Sequence, residues 1–302
     1  MTPLVCPTCR GPLSDANEGL LCPTCRSAFP IDAGIADFSG GAYYDRFEPT
    51  DALSSRDREG LTMEVEGARR RILDFYEPLL RRDRAHRVLD SGCGNGVSVD
   101  LLRDLGYEAW GNDLSQLRRF QWRERRFREG LIVASSLRLP FPDGYFDAVI
   151  SSGVLEHIGV AETGVPRYSV RPLPDRDEQR TAFLRELLRV TRSAGAVFLD
   201  CPNGSFPVDF WHGDEPGAAR LHSRSEGFLP TVNEVQHLVP TVHIEVLSPF
   251  RRLQFHQARR HWYGRLLGPL ANAAFGLLRF YPFRIALRTP LNPFLVLRME
   301  KT

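Results

Sequence analysis

The sequence predicts an α/β fold: a mostly parallel sheet covered by helices on both faces, with a small zinc-ribbon-like module at the N-terminus. Two observations carry this. Short apolar runs alternate with helix-period stretches from about residue 86 onward, the pattern of a sheet built through crossover helices. Four cysteines occur as two CPTC pairs in the first 25 residues, ahead of any such alternation. At 302 residues, with 42% hydrophobic and 25% charged residues, the chain is long enough for one large domain and its additions. A disordered tail protein is excluded. A net charge of +2, from 39 basic and 37 acidic residues, gives no global field for a polyanion. No run of 18 apolar residues predicts a membrane span. The N-terminus lacks a signal-peptide pattern, so a cytoplasmic location is expected.

The elements are expected in the following order. Residues 1–38 form the cysteine knuckle, in which Cys6, Cys9, Cys22 and Cys25 converge as a closed S4 site suited to structural zinc. Twelve residues separate the pairs, and Gly11, Pro12 and Pro23 favour tight turns. Such a short segment cannot build its own core, and the ion would hold it together. A redox pair is the weaker alternative, since paired spacing says more than one CxxC. Cys93 and Cys201 fall beside or within apparent strands and read as small buried residues. Residues 39–80 form a linker and a helical region, with a helix from Val65 to Leu80. The main domain spans 81–302. Its seven strands are HRVLDS, YEAWGND, LIVASS, FDAVISS, GAVFLDCPN, VHIEVLSPF and FLVLRM. VSVDLLRDLG, LRRFQWRERRF, GVLEHI and RTAFLRELLRVT supply helices between them.

The turn after HRVLDS reads Gly92-Cys93-Gly94-Asn95-Gly96, a GxGxG core that lets a ligand approach the backbone and the next helix start. It is not the GxGxxG of a dinucleotide fold, and no GKS or GKT follows it. VLDSGCGNG, the acid Asp113 seventeen residues after Gly96, and LRLPFPDGYFDAVISSGVLEHI stand in one order. Together they resemble the motifs of class I S-adenosylmethionine-dependent methyltransferases over roughly residues 70–201. The Leu155-Glu156-His157 run resembles the small-molecule-type subgroup. The knuckle resembles Trm112-like zinc modules.

The resemblance implies a Rossmann-like seven-stranded sheet and S-adenosyl-L-methionine as cofactor. It implies roles as well. Asp90 would stand near the methionine amino end, and Gly92, Gly94 and Gly96 would wrap the methionine and ribose. Asp113 would accept from both ribose hydroxyls. Leu114, Ser136 and Leu137 would line the adenine. Ser135-Ser136 stands where many relatives have Asp-Ala, so Ser135 is either a modified adenine contact or a turn residue. For the acceptor, His157 is a candidate general base or a structural histidine. The loop after the fifth strand offers Asn203, Asp209 and His212, with Phe210 and Trp211 as an apolar wall, or an ordered loop with a locally capped Asp209. No NPPY-like run follows FDAVISS, which weakens adenine-N6 methylation.

The expected activity is methyl transfer to a small-molecule, glycan or lipid-linked acceptor. An rRNA or tRNA methyltransferase is the alternative, resting on a basic patch at 118–128; a non-catalytic binding module is the third. Residues 248–299 carry nine arginines and no acid, interleaved with Phe255, Trp262, Tyr263, Phe275, Phe280 and Tyr281. This insertion, about 250–293, is expected as a helical lid with wet arginines or as a surface docking on anionic membrane. Pro269 and Pro282 are expected to bracket its apolar stretch.

Overall fold

The computed structural model describes residues 3–17, 19–47, 55–163, 167–214, 219–252 and 262–301. The chain divides into two compact units, one of residues 1–151, 185–197 and 301, the other of 152–184, 198–300 and 302.

The first unit begins with four short antiparallel strands, β1 (Ser14–Ala16), β2 (Gly19–Leu21), β3 (Ala28–Asp32) and β4 (Ile35–Asp37). β4 pairs in parallel with β7 (Leu131–Val133), Ala36 opposite Ile132 and Asp37 opposite Val133. The module therefore continues the central sheet. All three β4 residues are buried. The core strands are β5 (Arg87–Ser91), β6 (Glu108–Asp113) and β8 (Phe146–Ser152), and the order in this unit is β1-β2-β3-β4-β7-β6-β5-β8, then the first half of β11 (Thr191–Pro202). Apolar residues on both faces of β5 and β8 are fully buried, as a sheet covered on both sides demands.

Helices α1 (Ser55–Arg70), α2 (Glu77–Arg82), α3 (Val97–Asp104) and α4 (Gln116–Trp122) belong to this unit. The predicted helix Val65–Leu80 is interrupted: Arg71–Tyr76 winds as a π-helical segment between α1 and α2. π segments are uncommon and concentrate at functional sites. The predicted helix LRRFQWRERRF stops at Trp122. The arginines beyond it turn to separate acids: Arg123 to Asp32, Arg125 to Asp100 and Arg126 to Asp104.

In the second unit, a hairpin of β9 (Val160–Thr163) and β10 (Ser169–Pro172) precedes α5 (Arg176–Val190), which crosses the division between the units. The second half of β11 neighbours β15 (Phe294–Glu300), which pairs antiparallel with β14 (His243–Val246). A small ladder joins β12 (Val208–Asp209) to β13 (Arg220–Leu221), and α6 (Val232–Leu238) and α7 (Trp262–Leu277) complete the unit. The core sheet is thus α/β but mixed, with parallel and antiparallel pairs. It departs from the expected mostly parallel seven-stranded sheet, because the module's four strands continue it at β7.

Pro269 lies inside α7 and does not bracket it. Phe255, Arg259 and Arg260 lie outside the described residues, as do the side chains of Trp262 and Tyr263.

Candidate functional site

The knuckles are near copies. Arg10 N–H bonds to Cys6 O and Arg26 N–H to Cys22 O, both at 2.8 Å, with Arg10 and Arg26 left-handed at φ 59° and 60°. This geometry turns each CPTC so that its sulfurs face one point. Cys6 and Cys25 Sγ stand 3.5 Å apart, Cys9 and Cys22 Sγ 3.4 Å, and all four lie within 4.8 Å. None is in a disulfide. Zn–S bonds of about 2.3 Å place tetrahedral sulfurs about 3.8 Å apart, so the residues fit zinc with little movement. The Ser27 hydroxyl and N–H hold the Cys25 thiol down to about 6, toward the thiolate a metal needs.

The glycine turn follows β5. Gly92, Gly94 and Gly96 all have positive φ, at 80°, 55° and 75°. At Gly96, a Cβ would also stand 2.9 Å from Leu131 Cδ1 and 3.0 Å from Trp122 Cδ1. The Trp122 indole donates to Gly94 O at 2.8 Å and pins the turn. Asp113 ends β6, buried; its Oδ2 accepts from Gly94 N–H at 3.0 Å and its Oδ1 from Leu114 N–H at 2.8 Å. Burial raises its pKa, and those two N–H bonds and Arg118 oppose the rise. Asp90 is fully buried. Its Oδ2 accepts from Arg71 Nη2 at 3.0 Å, while its Oδ1 and Arg71 Nε have no partner among the described residues. Ser136 Oγ meets Ser91 Oγ at 2.9 Å and Asn112 Nδ2 at 3.0 Å. Ser135 Oγ accepts from Leu137 N–H at 3.2 Å, the turn bond of a serine in such a loop.

Three polar residues near this turn escaped the sequence reading. Arg71 comes from the π segment. Glu64 on α1 would lie 3.2 Å from a Cβ at Gly94 and pairs with Arg118 at 2.8 Å. Asp45 caps α4, accepting from Ser115 Oγ at 2.6 Å and Gln116 N–H at 2.7 Å. None sits in a motif; only the fold brings them here.

In the second unit the acceptor candidates gather. His157 and His212 rings pack edge to face at 5.2 Å, and Phe228 lies against both. His157 Nδ1 meets Glu162 Oε1 at 2.6 Å. His212 Nδ1 meets Asp209 Oδ2 at 3.1 Å. Asp209 is fully buried, and its Oδ1 also accepts from the N–H groups of Trp211 and His212. Arg220 Nε reaches it at 3.3 Å. Burial works against the Asp209 carboxylate, but His212, Trp211 N–H and Arg220 hold its pKa below the usual range. Burial likewise lowers His157, and Glu162, Glu156 and Asp209 more than offset it, so the imidazole stands above its ordinary value.

Arg180, fully buried, binds the pieces together. It donates to Glu156 O, Ile158 O, Phe228 O and Glu234. Asn203 is not free for an acceptor: its Nδ2 donates to Asn292 O at 2.7 Å and its Oδ1 accepts from Ser205 N–H at 2.9 Å. Trp211 packs on Phe294 at 5.1 Å and on Phe210 at 5.9 Å. Burial pushes both the Cys93 and Cys201 thiols well up, which suits inert core residues.

Residues 89–199 match the family model described as a methyltransferase domain, and residues 4–34 match that of Trm112p-like protein. The chain carries a class I S-adenosylmethionine methyltransferase domain fused to a Trm112-like module. It is 29% identical, over 51% of its length and 52% of the relative's, to a Mycobacterium tuberculosis protein named probable S-adenosylmethionine-dependent methyltransferase. It is 33% identical to demethylmenaquinone methyltransferase of Beutenbergia cavernae, over 37% of this chain and 38% of that one. It is 33% identical to the Xenopus tropicalis tRNA (carboxymethyluridine(34)-5-O)-methyltransferase, over 43% of this chain and 17% of that protein. The chain spans about half the length of the first of these relatives.

Proposed function

We propose that the protein transfers the methyl group of S-adenosyl-L-methionine to a small-molecule, glycan or lipid-linked acceptor, at oxygen or nitrogen. The observation that carries this is the orphaned, fully buried Asp90 Oδ1 beside a turn of three positive-φ glycines. A buried carboxylate oxygen without a donor is costly unless a ligand supplies one. The α-ammonium of a methionyl group is such a donor. When bound, S-adenosyl-L-methionine supplies a sulfonium-activated methyl, and the chain has to orient rather than activate it. Asp90 holds the amino end, with Arg71 positioning its carboxylate. Gly92, Gly94 and Gly96 keep the backbone close to the cofactor. Asp113, already oriented by two N–H groups, offers its remaining lone pairs to the ribose hydroxyls. Leu114, Ser135, Ser136 and Leu137 border the adenine.

His157 and His212 act on the acceptor side, and buried Asp209 serves by holding His212. Their Nδ1 atoms are engaged, which leaves each Nε2 to meet the acceptor. The nucleic-acid alternative is weakened by its own patch. Arg118, Arg119, Arg123, Arg125 and Arg126 each face a carboxylate, so little free positive charge is left for phosphates.

The test is transfer of radiolabelled methyl from S-adenosyl-L-methionine into fractionated cell extract. Label in the organic-soluble or small-molecule fraction, resistant to ribonuclease, is the expected result. Label lost on ribonuclease treatment would move the acceptor to RNA. Cofactor binding with no label in any fraction would leave a non-catalytic module.

A further inference from the structure

Glu156, His157 and His212 each present one ligand atom, and the three atoms lie within 4.8 Å of one another. Imidazole nitrogens and carboxylate oxygens bind first-row metal ions at about 2.0–2.2 Å, which places tetrahedral ligands of one ion about 3.4 Å apart. Side-chain rotations that move the ligand atoms by up to about an ångström bring the three together.

Three features set this cluster apart from an ordinary polar contact. Glu156 is 1% exposed, yet its Oε2 has no hydrogen-bond partner among the described residues. Second, both histidines give Nδ1 to a carboxylate, His157 to Glu162 and His212 to Asp209. That bond favours the tautomer with hydrogen on Nδ1 and leaves a lone pair on Nε2, the outer-shell arrangement of metal-bound histidines. Tyr168 OH donates to Glu162 Oε2 at 2.7 Å and steadies it in turn. Third, Glu156, Glu162 and Asp209 bring three carboxylates to the cluster; Arg220 reaches Asp209, while the Arg180 guanidinium beside Glu156 touches its carbonyl and is itself paired with Glu234. With neutral imidazoles, a dication restores the balance.

We infer that Glu156, His157 and His212 bind one divalent transition-metal ion, through the Glu156 carboxylate and the two Nε2 atoms. Two imidazoles and one carboxylate suit Zn2+, Co2+, Fe2+ or Mn2+. The site contains no thiolate and is separate in chemistry from the knuckle. With both Nε2 atoms on the ion, the acceptor would be met through the ion's open positions in place of the bare imidazoles, which would make hydroxyl-bearing acceptors the favoured class. That use of the open positions rests on the transferase reading; binding of the ion does not.

The test is titration of the full chain, zinc-loaded at the knuckle, with Co2+, followed by calorimetry and visible absorption, with no methyl donor present. One Co2+ per chain is expected, with weak visible bands and no intense thiolate-to-cobalt absorption. Glu156→Gln and His212→Ala should each weaken binding at least about tenfold, and Glu162→Gln by about tenfold, as losses of outer-shell partners do. Thermal unfolding checks that each variant is folded. Should the buried sites not tolerate change, His157→Ala decides, because that side chain is 38% exposed. No Co2+ beyond the knuckle, cobalt seen only with thiolate absorption, or unchanged affinity in His157→Ala would overturn the assignment. Since no donor or acceptor is present, that failure would leave the transferase reading untouched, and the reverse holds for the methyl-transfer assay.

Discussion

At the scale of single residues, some carboxylates of the first unit have a donor on each oxygen. Asp147 shows the consequence for pH. Its Oδ2 accepts from the N–H groups of His86 and Arg87, both at 2.8 Å, and its Oδ1 from Arg192 Nε at 2.7 Å. Burial alone would raise its pKa, but those N–H groups and the guanidinium lower it below the usual aspartate value. A carboxylate depressed on folding stabilises the native state above its unfolded pKa of about 3.9 and stops doing so as pH falls through the folded value. Asp147→Ala should therefore cost roughly 2 kcal/mol at pH 7 in urea unfolding. The gap from the parent should narrow as pH falls below the unfolded value and through the lower folded one; a gap independent of pH would mean the carboxylate's charge plays no part. Asp113 carries a different expectation. Asp113→Asn keeps one oxygen for the Gly94 or Leu114 N–H but puts a donor where a ribose hydroxyl needs an acceptor. Affinity for S-adenosyl-L-methionine should fall at least about tenfold by calorimetry, an effect near 1.4 kcal/mol. Equal affinity would remove Asp113 from the cofactor site.

Among the elements, legibility followed burial. HRVLDS, YEAWGND and FDAVISS were readable as strands because β5, β6 and β8 are buried on both faces and each carries a short apolar run at its centre. β9 and β10 were not, since their residues are half-buried or exposed and show no apolar run. The π segment was invisible because Ile72, Phe75 and Tyr76 keep a helical spacing whichever way the backbone winds. At the candidate sites, residues in motifs (Asp90, the glycines, Asp113, His157) could be named in advance. Arg71, Glu64 and Glu162 could not, because their roles depend on which element the fold lays beside them. The knuckle was legible as a metal site, but its junction with the main sheet was not. β4 is only three residues long, and its pairing with β7 is long-range. That junction makes a prediction. Ile35 is fully buried, and Phe38 N–H bonds to Val133 O at 2.7 Å just beyond the ladder. Ile35→Ala should destabilise the chain by about 2–5 kcal/mol. Chelation of zinc should expose amides of β7 as well as of the module to hydrogen exchange. Protection of Leu131–Val133 that survives chelation would show the sheet to be indifferent to its added strands.

The whole molecule distributes apolar surface unevenly, and the imbalance lies in the second unit. No helix among the described residues is long and apolar enough to cross a membrane. Yet Leu266, Leu270 and Leu277 of α7 are 63%, 64% and 55% exposed, and Tyr281, Ile285 and Leu291 beyond it 91%, 81% and 76%. Helical leucines at positions four apart share a face, so Leu266 and Leu270 present one apolar stripe to solvent. The lid reading put arginines on the wet face; leucines occupy it as well. Single exposed apolar residues need no explanation, but a cluster of this kind within one segment does. The same segment is basic, with nine arginines and no acid from 248 to 299. Not all of that charge is available. Arg252 is held by Asp200 at 2.7 Å and also donates to Ser152 Oγ, which makes it a structural residue and a poor target for a docking test. Arg284 pairs with Glu245. Peripheral docking on an anionic membrane combines shallow insertion of such leucines with attraction of basic side chains to headgroups. Flotation should then recover the protein on anionic vesicles at low salt and much less on neutral ones, with added salt weakening the association. Leu266→Ser, Leu270→Ser and Ile285→Ser together change only exposed side chains, so folding should be retained while flotation drops several-fold. Flotation that is absent at low salt, or that persists unchanged in the triple variant, would leave the exposed leucines to another partner.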